Sequence, residues 1–338
     1  MKELEDKLAA YLRGRLGAPD LTVTELARIP GGASRETYRF RAHYGGRVRG
    51  LILRRDPPAS LIETERTTEY RAYEAFHGLG LPVPEPIALE LDPAPLERPF
   101  FIMEEIENCQ TGSILSPEPF GPHRESVGRQ FYTVLGRIAA ADPRDIGLSD
   151  FEGETDIHDV AMHEVARWEK VIDEDEREPQ PIVRAALRWL RRNPPPPAQK
   201  ICVVHGDYRT GNFLFDDDGT IRAILDWEMS HLGDPLEDLG WAIDPLWAGG
   251  NAALPGGMIA RAEAIRIWEQ ASGLKAEPKA LHWWEIFASV KGAAIWISAA
   301  REYAEGRNID PINAFSGWFC LAFHNKVLAD RLSVEAQA

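Results

Sequence analysis

His205-Gly206-Asp207-Tyr208-Arg209-Thr210-Gly211-Asn212 decides the reading of this chain, together with the run Ile221–Glu228 (IRAILDWE) that follows it. The first stretch sets a carboxylate, Asp207, five positions before an amide, Asn212. The second sets another carboxylate, Asp226, fourteen positions beyond that amide, at the end of an apolar strand. Transfer of a phosphoryl group from Mg·ATP to a hydroxyl needs these parts: a carboxylate that orients or deprotonates the acceptor, and two oxygen ligands for Mg²⁺ close by. On this reading Asp207 is the catalytic group, Asn212 offers a neutral carbonyl oxygen to the metal, and Asp226 offers charged oxygens that bridge metal and phosphates. The short apolar strand Ile201–Val204 delivers the loop at its C-terminal end, and Asp216–Gly219 is a polar turn. Gly206 and Gly211 allow tight backbone conformations, and His205 is expected to hold the loop by hydrogen-bonding backbone. Either fragment alone would more often be a turn than a site. The spacing and the strands on both sides carry the functional reading.

Upstream, Arg28–Phe40 (RIPGGASRETYRF) puts Gly31, Gly32 and Ser34 between two strand-like segments, and such a hairpin can lay backbone N–H groups over phosphates. An ordinary hairpin turn would look the same. The sequence G-x-x-x-x-G-K-[ST] is absent, which removes the P-loop alternative. The next strand, Leu51–Arg55 (LILRR), offers Arg54 and Arg55 as a cation for phosphates, and the following helix offers Glu69 to hold it. Strand parity lets only one of them point inward, and Arg54 is preferred; surface charges on an edge strand are the rival reading. Phe100–Ile106 (FFIMEEI) is an apolar strand running into a polar connector, whose backbone near Glu104–Ile106 would meet the adenine edge.

The chain has 338 residues, enough for two lobes, with 44% hydrophobic and 27% charged residues. A formal net charge of −15 argues against a nucleic-acid groove, which would want a basic face. Cys109, Cys202 and Cys320 have neither zinc spacing nor the look of a disulfide framework, so a reducing, cytoplasmic setting is expected. The charged, amphipathic start MKELEDKLAAYLRGRLG is not a signal peptide, and no run of about 18 apolar residues suggests a membrane span.

Hydrophobic periodicity predicts a leading helix over 3–16, then strands Leu21–Ile29, Thr37–Ala42 and Val48–Arg55, a helix Thr64–Leu79, and strands Ile87–Leu91 and Phe100–Glu104. Beyond Pro117 the pattern turns helical: Arg124–Ala141, Ile157–Asp173, Ile182–Arg192, then Met258–Ser272, Lys279–Tyr303 and Ile312–Leu332. Asp173–Glu178 (DEDERE) reads as a solvated helix end or loop, and Pro194–Pro197 as a stiff spacer. The expected division is an N-lobe over 1–107, strands with one helix, and a C-lobe over 108–338. Asp238 is expected to brace the loop. Lys279–Tyr303 carries Trp283, Trp284, Phe287, Trp296 and Tyr303 with Lys291 and Arg301 among them. As a core stripe this says nothing of substrate; as a lining it would favour an apolar or anionic acceptor.

H-G-D-x-x-x-x-N followed by D-W-E parallels the protein-kinase pattern H-R-D-x-x-x-x-N followed by D-F-G. From the glycine hairpin near Gly31 through Asp238 the chain resembles the aminoglycoside phosphotransferase and choline kinase superfamily. It is most similar to the branch with LRR on the third strand and PVP after the helix, which includes kinase-like domains fused to acyl-CoA dehydrogenases. The resemblance implies an α+β, bilobal, protein-kinase-like fold, with ATP and Mg²⁺ as cofactors and O-phosphorylation of a small molecule such as an aminoglycoside, a hydroxyacyl thioester or another metabolite. It implies Asp207 as base, Asn212 and Asp226 as metal ligands, and Glu69 as partner of the third-strand cation. Two features depart from it: an arginine where the family's third strand usually has lysine, and Glu107-Asn108-Cys109-Gln110 where its connector often has glycine. The alternative function is a nucleotide-binding pseudokinase or regulatory module without turnover.

Overall fold

In a computed structural model the described residues are 1–29, 36–56, 64–113, 115–116, 118–249, 251 and 253–335. Gly31, Gly32 and Ser34 lie outside them. In chain order the elements are α1 (Lys2–Leu16), β1 (Thr22–Ile29), β2 (Glu36–Tyr44), β3 (Arg47–Arg55), α2 (Thr64–Gly78), β4 (Pro86–Glu90), β5 (Phe100–Glu104) and the short β6 (Cys109–Gln110). Then follow α3 (Arg124–Ala140), α4 (Val160–Asp175), α5 (Pro181–Arg192), β7 (Cys202–Val204), β8 (Phe213–Asp216), β9 (Ile221–Ile224), β10 (His231–Gly233), α6 (Pro235–Ala242), α7 (Arg261–Ser272), α8 (Pro278–Ala304), α9 (Pro311–Phe315) and α10 (Leu321–Glu335). The chain adopts the expected α+β class, as two compact units: Met1–Gln110 with Arg222–Met229, and Thr111–Ile221 with Ser230–Ala338. The division by sequence at 107/108 thus falls three residues later, and the segment bearing Asp226 belongs with the first unit.

In the first unit five strands form one antiparallel sheet in the order β1-β2-β3-β5-β4. Alternation sends Phe40, Ala42, Leu51 and Leu53 into a core with Leu8, Ala9 and Leu12 of α1. On β3 the intervening position Arg54 pairs with Phe101 of β5, whose ring meets Tyr70 and Tyr73 of α2. Phe76 of α2 stacks on Trp227 at 4.5 Å, which ties 222–229 to this unit.

The second unit is built on α8, a 27-residue helix buried along most of its length. Its Trp283, Trp284 and Phe287 are core residues, and Lys291 is buried with them, so this part of the aromatic stripe lines no surface. β7 pairs with β10 antiparallel, Val204 opposite His231. The helix expected over Ile312–Leu332 is present, with a π-helical turn, Ser316–Cys320, set between α9 and α10. There the backbone lies against α8, and a Cβ on Gly317 would come within 2.5 Å of the Ala300 Cβ. Asp173–Glu178 is the expected solvated helix end, with Asp173 and Glu176 paired to Arg184 and Asp175 to Arg301. The three cysteines are free thiols, and no described helix is long and apolar enough to cross a membrane.

Candidate active site

The loop after β7 is held from below before any side chain is aimed. Asp238 of α6 accepts hydrogen bonds from the backbone N–H of His205 at 2.6 Å and of Gly206 at 3.0 Å. Burial pushes the Asp238 carboxyl up, against the pull of His205 and its backbone donors. The expected bracing role of Asp238 is therefore what the structure shows. His205 Nδ1 accepts from the Asp207 N–H at 3.1 Å, so this ring too serves the backbone. Gly206, at φ 85°, sits in the left-handed region that a side chain would resist.

On this base Asp207 is aimed by three side-chain donors. Trp241 Nε1 reaches Oδ1 at 2.9 Å, Asn212 Nδ2 reaches Oδ2 at 2.6 Å, and Arg209 Nε lies 3.0 and 3.1 Å from the two oxygens. Asn212 also donates to the Asp207 carbonyl at 2.9 Å. With its amide nitrogen committed in this way, Asn212 has its carbonyl oxygen left for a cation. The Arg209 guanidinium rides over the Trp247 ring, 4.8 Å from its centroid. Asp207 and Arg209 are half-buried, and Asn212 is 8% exposed.

The first unit brings Arg54, Glu69 and Asp226 together. Arg54 NH1 hydrogen-bonds Glu69, whose side chain is fully buried. Arg55, one residue on, faces the other way and pairs with Glu36 at 2.7 Å, as strand parity requires. Burial works against the charge on Arg54, but Glu69, Tyr73, Asp226 and Glu228 outweigh it and hold the guanidinium above its ordinary range. Its Nε is buried without a hydrogen-bond partner, while Asp226 and Glu228 stand 3.8 Å from NH2. Asp226 sits at φ 69°, and its N–H donates to Tyr73 Oη at 3.1 Å. A non-glycine residue held there costs about 1 kcal/mol or more, and such strain gathers at functional sites.

Glu104 ends β5 opposite Leu51, and the Glu105 N–H donates to the Gly50 carbonyl at 3.0 Å. Ile106 follows, half-buried. Arg41 of β2 bridges Glu105 and Glu107 at 2.6 and 2.5 Å. A cavity of about 370 Å³ borders this connector, lined by Glu25, Leu26, Ala27, Arg39, Arg41 and Glu105. Sequence reasoning missed Trp241 and Arg209. Arg209 carried a signal, a cation two residues after the candidate base; Trp241, 34 residues away on another helix, carried none.

Residues 25–274 match the sequence profile of the phosphotransferase enzyme family. Mouse acyl-CoA dehydrogenase family member 10 is 30% identical over 243 residues, a match covering 70% of this chain and 22% of that protein. Human acyl-CoA dehydrogenase family member 11 is 25% identical over 241 residues, covering 70% of this chain and 30% of that protein. The chain thus spans less than a third of the length of these curated relatives. A solved structure from Ralstonia eutropha, assigned as an aminoglycoside phosphotransferase, superposes with a TM-score of 0.77 at 22% identity, over 97% of this chain and 98% of that one. A thermostable mutant of aminoglycoside phosphotransferase APH(4)-Ia, in ternary complex with ADP and hygromycin B, superposes at 0.58 with 20% identity, over 97% and 98%. These likenesses show a shared kinase-like fold.

Proposed function

The chain belongs to the phosphotransferase enzyme family, and from that premise we propose that it transfers the γ-phosphoryl group of ATP to a hydroxyl group of a small molecule. The observation that carries this reading is the setting of Asp207, a carboxylate aimed by Trp241, Asn212 and Arg209 on a loop held by Asp238. Asp207 accepts a hydrogen bond from the acceptor hydroxyl. As the acceptor oxygen bonds to the γ-phosphorus, the bond from that phosphorus to the β–γ bridging oxygen breaks and ADP leaves. The hydroxyl proton passes to Asp207. A carboxylate offers about four lone-pair positions. The Arg209 Nε, shared between both oxygens, is the contact that an arriving hydroxyl replaces most easily.

Arg54, kept charged by Glu69, neutralises phosphate oxygens with donors that lysine lacks. The backbone at Glu104–Ile106 meets the adenine edge. Asn212 and Asp226 supply hard oxygen ligands suited to Mg²⁺. When bound, that ion neutralises charge on the β- and γ-phosphate oxygens. The free thiols fit a reducing cytoplasm.

For the acceptor, the ternary complex of a fold neighbour with hygromycin B supports an aminoglycoside, whereas the names of the curated relatives support a hydroxyacyl thioester. The buried aromatic stripe of α8 favours neither. ADP release measured with Mg·ATP against aminoglycosides, hydroxyacyl-CoAs, choline and sugars should rise well above the acceptor-free rate for one class. Tight ATP binding with no acceleration by any member would replace the enzyme reading with that of a pseudokinase.

A further inference from the structure

We propose that Lys291, in the middle of α8, is a positioning residue for Asp207, fixing both the peptide that carries this aspartate and the indole that aims its carboxylate. The proposal rests on the reading of Asp207 as the acceptor-side carboxylate. Lys291 is 1% exposed. Its ammonium donates to the Gly206 carbonyl at 2.7 Å and to Glu237 Oε1 at 2.8 Å, and it lies over the rings of Trp168 and Trp241 at 5.6 and 5.5 Å. The Gly206 carbonyl belongs to the peptide joining Gly206 to Asp207, and the N–H of that peptide is the one His205 accepts. Both ends of the peptide are therefore held. Trp241, under the same ammonium, gives its Nε1–H to Asp207 Oδ1. One side chain thus reaches Asp207 by two routes.

The way this charge is compensated separates positioning from space-filling. A buried ammonium is costly and needs a counter-charge, which Glu237 provides. Glu237 is in turn bonded to His231 Nε2 at 3.1 Å, and His231 Nε2 lies 3.9 Å from Glu164 Oε1. Glu164, His231, Glu237 and Lys291 are all at most 2% exposed and come from α4, β10, α6 and α8. Methionine would fill the volume of Lys291 without any of these compensations. The ion ladder ends on the one carbonyl that adjoins Asp207. Glu164, His231 and Glu237 do present ligand atoms within 4.8 Å of one another. Within the cluster Lys291 faces Glu237, and His231 lies between Glu237 and Glu164. Burial lowers the His231 pKa, but Glu237 and Glu164 outweigh it and the net shift is upward. The outer contacts of Glu164, His163 at 3.5 Å and Arg167 at 3.6 Å, are half-exposed and lie beyond hydrogen-bond geometry.

A double-mutant cycle on the full chain tests the proposal. Lys291→Met, Asp207→Asn and the double variant are compared by acceptor-independent hydrolysis of Mg·ATP, followed as ADP release, with KM for ATP measured alongside. Lys291→Met should lower kcat about tenfold or more, as expected for coupled groups in one hydrogen-bonded network, leave KM for ATP within about threefold, and have no further effect in the Asp207→Asn background. Equal losses in both backgrounds, or no loss in either, overturn the positioning role while leaving the function standing. Undiminished turnover of Asp207→Asn itself removes the reading of the site, and the proposal falls with it. Should Lys291→Met not fold, the cycle is run with Lys291→Arg. That variant keeps the charge but cannot seat one compact ammonium among Gly206, Glu237 and two indoles, so the same two outcomes decide.

Discussion

Asp207 has three side-chain donors within 3.1 Å, whereas Arg54, half-buried in the other compact unit, keeps a buried Nε with no hydrogen-bond partner. The difference extends to their surroundings. The loop of Asp207 has its backbone tied by Asp238 and Lys291. Near Arg54, Asp226 and Glu228 stop at 3.8 Å, beyond hydrogen-bond reach, and Asp226 holds a left-handed backbone. A fully satisfied polar network is rigid; an incompletely satisfied one retains unspent capacity for a ligand. We read the loop that carries Asp207 as preorganised and the surroundings of Arg54 as keeping a donor in reserve.

The largest expected effect breaks or sustains this contrast directly. Asp207→Asn should lower turnover about 10²–10⁴-fold while leaving ATP affinity unchanged, because proton acceptance is lost and the nucleotide contacts are not. Asp226→Asn should lose Mg²⁺-dependent ATP affinity as well as turnover, since an amide cannot replace an anionic oxygen ligand. Calorimetry with ATP in Mg²⁺ and in EDTA, beside kcat, separates the two. If both variants lose affinity alike, the division of labour between the units is wrong.

A smaller effect separates the two arginines of β3. Arg54→Ala should cut kcat/KM for ATP by about 10- to 100-fold, the scale of a lost charge-assisted hydrogen bond, and Arg54→Lys should recover much of it by keeping a cation for Glu69. Arg55→Ala should change kcat/KM by less than about threefold, since Arg55 serves Glu36 on the far side of the strand. The larger loss at Arg55 would reverse the orientation assigned to the phosphate cation. Thermal unfolding adds a check, because Arg54→Ala leaves the fully buried Glu69 without its cation.

What was legible in the sequence was local. The spacing from Asp207 to Asn212 lies within one loop, and the choice of Arg54 over Arg55 follows from period-2 alternation on one strand. The partners of Asp207 were not legible, because Trp241 and Lys291 arrive from helices 34 and 84 residues downstream. A stripe of aromatics on α8 carried no mark of which face was core, so Lys291 could be read as lining when it is buried against Gly206. Continuous apolar periodicity from Ile312 likewise hid the π-turn, in which Gly317 packs on Ala300. The placement of 222–229 with the first unit rests on Trp227 stacking against Phe76, a contact across about 150 residues that no window of sequence reports.

The smallest expected effect is a pH dependence of stability that should belong to the second unit. His231 has a folded pKa raised above 6.5 by Glu237 and Glu164 despite burial, with Lys291 opposing them. A raised pKa means that the folded state binds the proton more tightly than the unfolded chain. The stabilisation is therefore complete below about pH 6.5 and is lost as pH rises through the folded value. Asp234, the cap of α6, is pushed up to about 6 by burial, so its share is complete below about 3.8 and fades as pH rises through 6. Denaturant unfolding from pH 5 to 9 should show stability falling on the alkaline side, by at most about 1.4 kcal/mol per pH unit for one proton. His231→Gln should flatten the part above 6.5, and Asp234→Asn the part below it, since asparagine still caps the helix. An alkaline slope that survives both substitutions would place the titrating group elsewhere and take from the second unit the ion ladder that sets it apart from the first.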